Sequence, residues 1–175
     1  MQKKNLQLTV HDLQEDLVDD IIQKWQTTNI PDISYMGTEI IARMVRMNAF
    51  MQQQVEENLS RYELNAGDFD LLAVLLREDS PALTPKRIQE LILVSSGGLS
   101  NRMTRLEARN LIIRLPDPND RRGVIVQLTP EGKALIERVG PTHLELENQF
   151  IQNLSTDEQT ALTFLLKKML HSLEN

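Results

Sequence analysis

Residues 95–128 read SSGGLSNRMTRLEARNLIIRLPDPNDRRGVIVQL, and a change of period within them decides the fold. Leu99, Met103 and Leu106 fall on one face of a helix, which the spacing places from about Gly98 to Arg109 and which turns that face to the core. Leu111–Leu115 and Val124–Leu128 are β-branched and apolar, which predicts two strands. The PDPNDRRG segment between them carries turn residues at nearly every position. The expectation is a helix followed at once by a hairpin with a basic tip. A helix able to lie in a groove, with a charged β-tip beside it, meets the needs of a DNA-reading module.

Working outward from this stretch, Thr84 and Pro85 have the form of an N-cap followed by proline at the first helical position, opening a helix to about Val94. Ser95–Gly98 is the break between the two helices. Before them, Asn65 caps a helix over Ala66–Arg77 that carries Phe69, Leu71, Leu72 and Leu75. Earlier still, a long helix is expected from Ser34 to Glu63. Residues 10–28 form another, with Val10, Leu13, Leu17, Val18, Ile21, Ile22 and Trp25 at helical spacing. Asn29, Pro31 and Asp32 separate the two. After the hairpin, Thr129 caps one helix. Ser155 and Glu158 form a capping box in front of a last helix with Leu162, Phe164, Leu165, Met169, Leu170 and Leu173.

The fold class expected is mainly α with a small β-wing. It is a winged helix-turn-helix flanked by N- and C-terminal helical dimerisation arms. Residues 1–63 form the N-terminal arm and long helix, 64–128 the winged module and 129–175 the C-terminal dimerisation helices. Apolar stripes on arms beside a compact module predict a homodimer, which would set two reading helices about 34 Å apart.

The 175 residues suffice for one such module and its arms. No apolar run approaches the roughly 20 residues of a membrane span. The N-terminal MQKKNLQLTV lacks the apolar region of a secretory signal, so a cytoplasmic location is expected. The absence of cysteine excludes disulfides, a thiol nucleophile and cysteine-held metal. His11, His143 and His171 are scattered without metal-ligand spacing and read as surface histidines. No P-loop or nucleophile elbow is present, and Asp68 and Asp70, two apart on a helix, make a poor acid–base pair. Neither catalysis, metal nor cofactor is indicated.

Net charge is −6, which alone disfavours a nucleic-acid partner. Its distribution reverses that. Between Leu83 and Gly123 eight basic residues face four acidic ones, while the remainder has eleven against twenty-one. A polyanion would be drawn to one face and repelled by the rest.

Taken as a set, LNAGDFDLLAVL, LTPKRIQELILVSSGGLSNRMTRLEARNLIIR and DPNDRRGVIVQLTPEGKAL resemble the MarR (multiple antibiotic resistance regulator) family of winged-helix regulators. The resemblance covers about residues 35–173. It implies that Ser95, Ser96 and Ser100 let the recognition helix approach the DNA backbone, where exposed N–H groups favour phosphate. Asn101, Thr104 and Arg105 would reach base edges or phosphates from the outer face. Arg121 and Arg122 sit at the wing tip, and a wing arginine would enter the minor groove. Asp120, in the family's Asp-x-Arg pattern, would brace an arginine rather than touch DNA.

The chain also resembles the urate-responsive (PecS-like) subgroup. Its signature falls on Trp25, Asp70, Arg102 and Arg114. An indole offers a stacking face, two arginines offer charge and donors to an anion, and a carboxylate accepts ligand N–H groups. The resemblance implies a regulator, a repressor, that binds double-stranded DNA at a pseudo-palindromic operator and is released by a small aromatic anion such as urate. Two other readings fit the residues: a winged helix that binds protein, against which the basic 102–122 segment argues, and a constitutive DNA-binding regulator without a ligand.

Overall fold

The computed structural model describes residues 14–28, 33–92 and 94–174. Its elements are α1 (Leu17–Gln26), α2 (Met36–Ser60), α3 (Ala66–Arg77), α4 (Pro85–Leu91), α5 (Ser96–Ala108), β1 (Ile112–Asp117), β2 (Asp120–Leu128), α6 (Pro130–Phe150) and α7 (Thr156–Glu174). This is the helix-rich fold with a two-stranded wing that the sequence implies. Val10, Leu13, His11 and the expected break at 29–32 lie outside the described residues.

The chain divides into two compact units. Residues 1–52 and 150–175 make one and Gln53–Gln149 the other. In the first, Asp16 caps α1 by accepting from the N–H groups of Val18 and Asp19, and Asp19 returns the bond to the Asp16 N–H. Arg43 on α2 donates to Asp16 and Asp19 on α1 and to Glu39 on its own helix. One guanidinium thereby ties two helices that bury little else; Val18 and Ile22 are the buried residues of α1. Large apolar side chains of this unit stay exposed. They include Val45 and Phe50 on α2 and Phe164, Leu165 and Leu170 on α7, which has no buried residue.

The second unit has one continuous core. Leu71, Leu72 and Val74 of α3 are wholly buried, and they pack with Ile88 of α4, Leu99 and Leu106 of α5, Val126 of β2 and Ile136 and Val139 of α6. The wing root is anchored from outside the hairpin. Leu83 donates to the Val126 carbonyl at 3.0 Å and accepts from its N–H at 2.8 Å. This bridge gives β2 a second neighbour, and nothing in the sequence pattern of a single residue before a helix cap announces it.

Several boundaries differ from expectation. Ser95 is the N-cap of α5, accepting from the Gly98 N–H at 3.2 Å, so the helix starts two residues before Gly98. Glycines at the second and third helical positions disguise that start. α4 ends at Leu91, short of Val94. The strands are longer than expected and enclose Arg121 and Arg122. Only Pro118 and Asn119 remain as the turn, because Asp117 accepts from the Asn119 N–H at 2.8 Å and Asp120 from the Arg122 N–H at 2.9 Å.

Candidate nucleic-acid interface

The helix α5 is two-sided. Leu99, Met103 and Leu106 are buried, and Ser96, Ser100, Asn101, Thr104 and Arg105 are exposed on the other side. Ser95, Arg121 and Arg122 are exposed as well. The Ser95 hydroxyl is engaged as the cap of the Gly98 N–H, and the N–H groups of Ser96 and Gly97 before it have no intrahelical partner. Thr104 shares a face with both Ser100, four residues before it, and Asn101, three before it. That face carries hydroxyl and amide groups of the kind that reach base edges and phosphates.

Thr104 is oriented by the wing. Its hydroxyl oxygen accepts from Arg114 Nη2 at 2.9 Å, so its own hydrogen remains available to an outside acceptor. Arg114 on β1 also pairs with Glu107, Nε to Oε2 at 3.1 Å. A single side chain on the wing therefore holds two residues of α5. The wing arginine expected to meet a ligand is engaged in fixing the helix beside it.

Arg105 differs from the expectation of a side chain free to reach outward. Its Nε lies 3.1 and 3.2 Å from the two oxygens of Asp68, and Nη2 donates to Oδ1 at 2.5 Å. Asp68 is buried at 2% exposure. The pairing raises the already high Arg105 pKa, chiefly through the hydrogen bond to Asp68. Asp120 likewise braces the backbone of Arg122 rather than a guanidinium.

Of the four residues implied for a ligand, the second unit brings Asp70 and Arg102 together, with Nη1 3.8 Å from Oδ2. Arg102 lies across the first turn of α3, where a β-carbon on Gly67 would fall 2.5 Å from its guanidinium carbon. Burial raises the Asp70 carboxyl above the usual range, and the nearby Arg102, His143 and Arg77 partly counter it. Trp25 lies on α1 in the other unit and is half-exposed.

Asp70 also lines a cavity of about 550 Å³ between α3, the end of α4 and α6. Phe69, Leu91, Ile136 and His143 contribute to its walls. His143 is no surface histidine. Its ring lies 4.2 Å from that of Phe69, its Nε2 is 3.3 Å from Glu147, and its Nδ1 is buried without a hydrogen-bond partner among the described residues. Its apolar neighbours come from a different helix, so no local pattern reveals its burial. Asp68 and Glu107 escaped the sequence reading for the same reason: their roles depend on arginines 37 and 7 residues away. Among the described residues no His, Asp or Glu cluster could hold a metal ion, and no helix is long and apolar enough to cross a membrane.

The model of the MarR family matches residues 62–123, which run from the end of α2 to the wing. The chain is 35% identical over 159 residues to the HTH-type transcriptional regulator PecS of Dickeya dadantii, covering 90% of this chain and 95% of that protein. The chain belongs to the MarR family. Among solved structures, it resembles a mutant MarR from E. coli complexed with operator DNA, at TM-score 0.70 and 29% identity over 80% of this chain and 99% of that one. It also resembles BpsR of Bordetella bronchiseptica at TM-score 0.67 and 27% identity, covering 75% and 98% respectively; that structure concerns regulation of DNA binding by 6-hydroxynicotinic acid. As a MarR-family protein the chain is a transcriptional regulator with a winged helix, and the family is not one of enzymes.

Proposed function

We propose that this MarR-family protein is a cytoplasmic repressor that binds a pseudo-palindromic DNA operator as a homodimer and releases it when a small aromatic anion such as urate binds. The observation that carries the DNA reading is the exposed polar face of α5, with Ser96, Ser100, Asn101 and Thr104, beside a wing whose arginines Arg121 and Arg122 are also exposed. In this reading α5 enters the major groove and a wing arginine enters the adjacent minor groove. The apolar stripes of α2 and α7, left exposed in a single chain, support a second copy as their partner.

The effector reading rests on Asp70 and Arg102. Arg102 is a cation on the recognition helix held by one long, half-exposed ion pair. An anion that competes for Arg102 would disturb α5, which is a coupling free energy between effector and DNA. The cavity beside Asp70 has the volume of a small-ligand site, for which roughly 300–1,000 Å³ is usual. The resemblance adds Trp25 and Arg114 to this set.

Fluorescence anisotropy tests the proposal, using the full-length protein and a duplex from upstream of its own gene, with and without urate, at two salt concentrations. Tight, salt-sensitive binding relieved by urate is the expected result. Binding indifferent to urate and to other aromatic acids would sink the effector half. A Trp25→Ala variant that responds to urate as fully as the wild type would remove that residue from the set. Binding to neither this duplex nor one drawn from a random pool would overturn the DNA reading.

A further inference from the structure

Arg102 and Arg105 on α5 and Arg109 at its C-cap stand at i, i+3 and i+7 and so share one face. All three reach the start of α3 or the turn before it. Arg102 meets Asp70, Arg109 donates to the Glu63 carbonyl at 2.5 Å, and Arg105 meets Asp68. The three contacts are unequal. Asp70 is half-exposed, and Glu63 offers Arg109 a neutral carbonyl and, at 3.7 Å, a carboxylate that is almost fully exposed. Asp68 is a buried carboxylate, and Arg105 is the cation that pairs with it. A charge so placed is tolerated only while its partner stays.

Arg105 itself remains 44% exposed on its side chain, and its Nη1 takes no hydrogen bond among the described residues. It stands one position from Thr104 and four from Asn101, on the rim of the face proposed to read DNA. An unpaired arginine there would attract any phosphate and strengthen binding to every sequence alike. Bidentate pairing with Asp68 cancels that charge locally and fixes both the guanidinium and the helix that carries it.

We propose that Asp68 is a positioning residue for DNA recognition: acting through Arg105, it fixes α5 against α3 and withholds the Arg105 charge from indiscriminate phosphate contact. This rests on the reading that α5 contacts DNA. Asp68 then raises specificity rather than overall affinity, and its loss converts Arg105 into a non-specific contact.

The test compares full-length wild type, Asp68→Asn, Arg105→Lys and the double variant Asp68→Asn with Arg105→Ala. The probes are a duplex selected by the wild type from a random pool and a scrambled duplex of equal length, each titrated with salt. For Asp68→Asn, the ratio of selected to scrambled affinity should fall about tenfold. The log–log salt slope on the scrambled duplex should steepen by about one per protomer, and the double variant should lose that increment. Arg105→Lys, unable to pair in a fork, should lose the ratio similarly. If Asp68→Asn shows no cooperative urea transition, Arg105→Lys carries the test. Equal weakening on both duplexes with unchanged slope would show a purely structural role and overturn the proposal. Unchanged ratio and slope in both single variants would overturn it as well. If the wild type selects no sequence and binds neither duplex, the DNA reading itself falls, and this inference with it.

Discussion

The carbonyl oxygen of Leu111 occupies the space that a β-carbon on Gly132 would need, 1.8 Å from the ideal position of that atom. The approach is backbone on backbone. Leu111 also accepts the Thr129 N–H at 3.1 Å, while the Thr129 hydroxyl donates to the Asn110 carbonyl at 2.7 Å and accepts from the Gly132 N–H at 3.0 Å. The start of α6 is thus stitched to the end of α5, where Asn110 takes the left-handed conformation. Gly132→Ala should destabilise the protein by about 1–3 kcal/mol, the usual cost of overpacking a fixed site. Urea unfolding should show a lower midpoint with unchanged slope. An unchanged midpoint would mean that α6 can pivot away from Leu111.

Acid should loosen α1 from α2. The Asp16 carboxyl is held below the ordinary aspartate range mainly by the hydrogen bond from Arg43, and that of Asp19 by the Asp16 N–H and then by Arg43. Both pKa values are depressed in the folded state. Their stabilisation is therefore complete above the unfolded value of about 4 and is lost as pH falls below it. Urea midpoints measured from about pH 5 downward should drop more steeply for wild type than for Arg43→Ala. The variant should keep part of the slope, because the capping bond to Asp19 remains. Parallel acid limbs would show that Arg43 does not govern this docking.

Much of the winged module is legible in the sequence because it is encoded locally. Asn65, Thr84, Ser95, Thr129 and Ser155 each sit within three residues of the N–H they accept, and Leu99, Met103 and Leu106 announce their burial by period alone. The contacts that were not legible have a common cause. Arg105 is an exposed polar residue by every local rule, and only the fold brings buried Asp68 to it. Arg114 likewise has the type and position expected of a ligand residue, yet its neighbours Thr104 and Glu107 come from the helix before it. Residue type shows what a side chain can bind. Which of two eligible partners it meets depends on packing between elements.

Arg114→Ala should separate stability from DNA binding. Its pair with Glu107 is partly exposed, and such pairs contribute about 1 kcal/mol or less. Thr104, however, loses the donor that orients its hydroxyl. The expected result is a midpoint shift corresponding to under about 1 kcal/mol, together with a roughly tenfold loss of affinity for a selected duplex, worth about 1.4 kcal/mol. A large loss of stability with unchanged affinity per folded molecule would contradict the orienting role. Because basal binding changes, loss of the urate response in this variant would not by itself assign Arg114 to the ligand.

Gly67→Ala offers a sharper test of the effector reading, because fold and function should move apart. Gly67 is the second residue of α3, and alanine there is favoured over glycine by up to about 1 kcal/mol. What the new methyl would meet is the far end of the Arg102 side chain, its guanidinium carbon at 2.5 Å, and not backbone. Arg102 can swing aside without moving the α3 backbone, so urea unfolding at acid pH, where Asp70 is protonated, should show stability equal to or above that of wild type. Asp70 then loses the nearest of the cations that counter its burial. Its carboxyl, already raised, should rise further, so the variant loses stability at this site as pH increases through that higher value. If an anion acts by competing for Arg102, displacing that side chain should abolish the urate response. Binding to the selected duplex without urate should itself weaken, because displaced Arg102 mimics the anion-bound state. A variant that is stable, binds DNA and still releases it at the wild-type urate concentration would show that the Asp70–Arg102 contact does not transmit the signal.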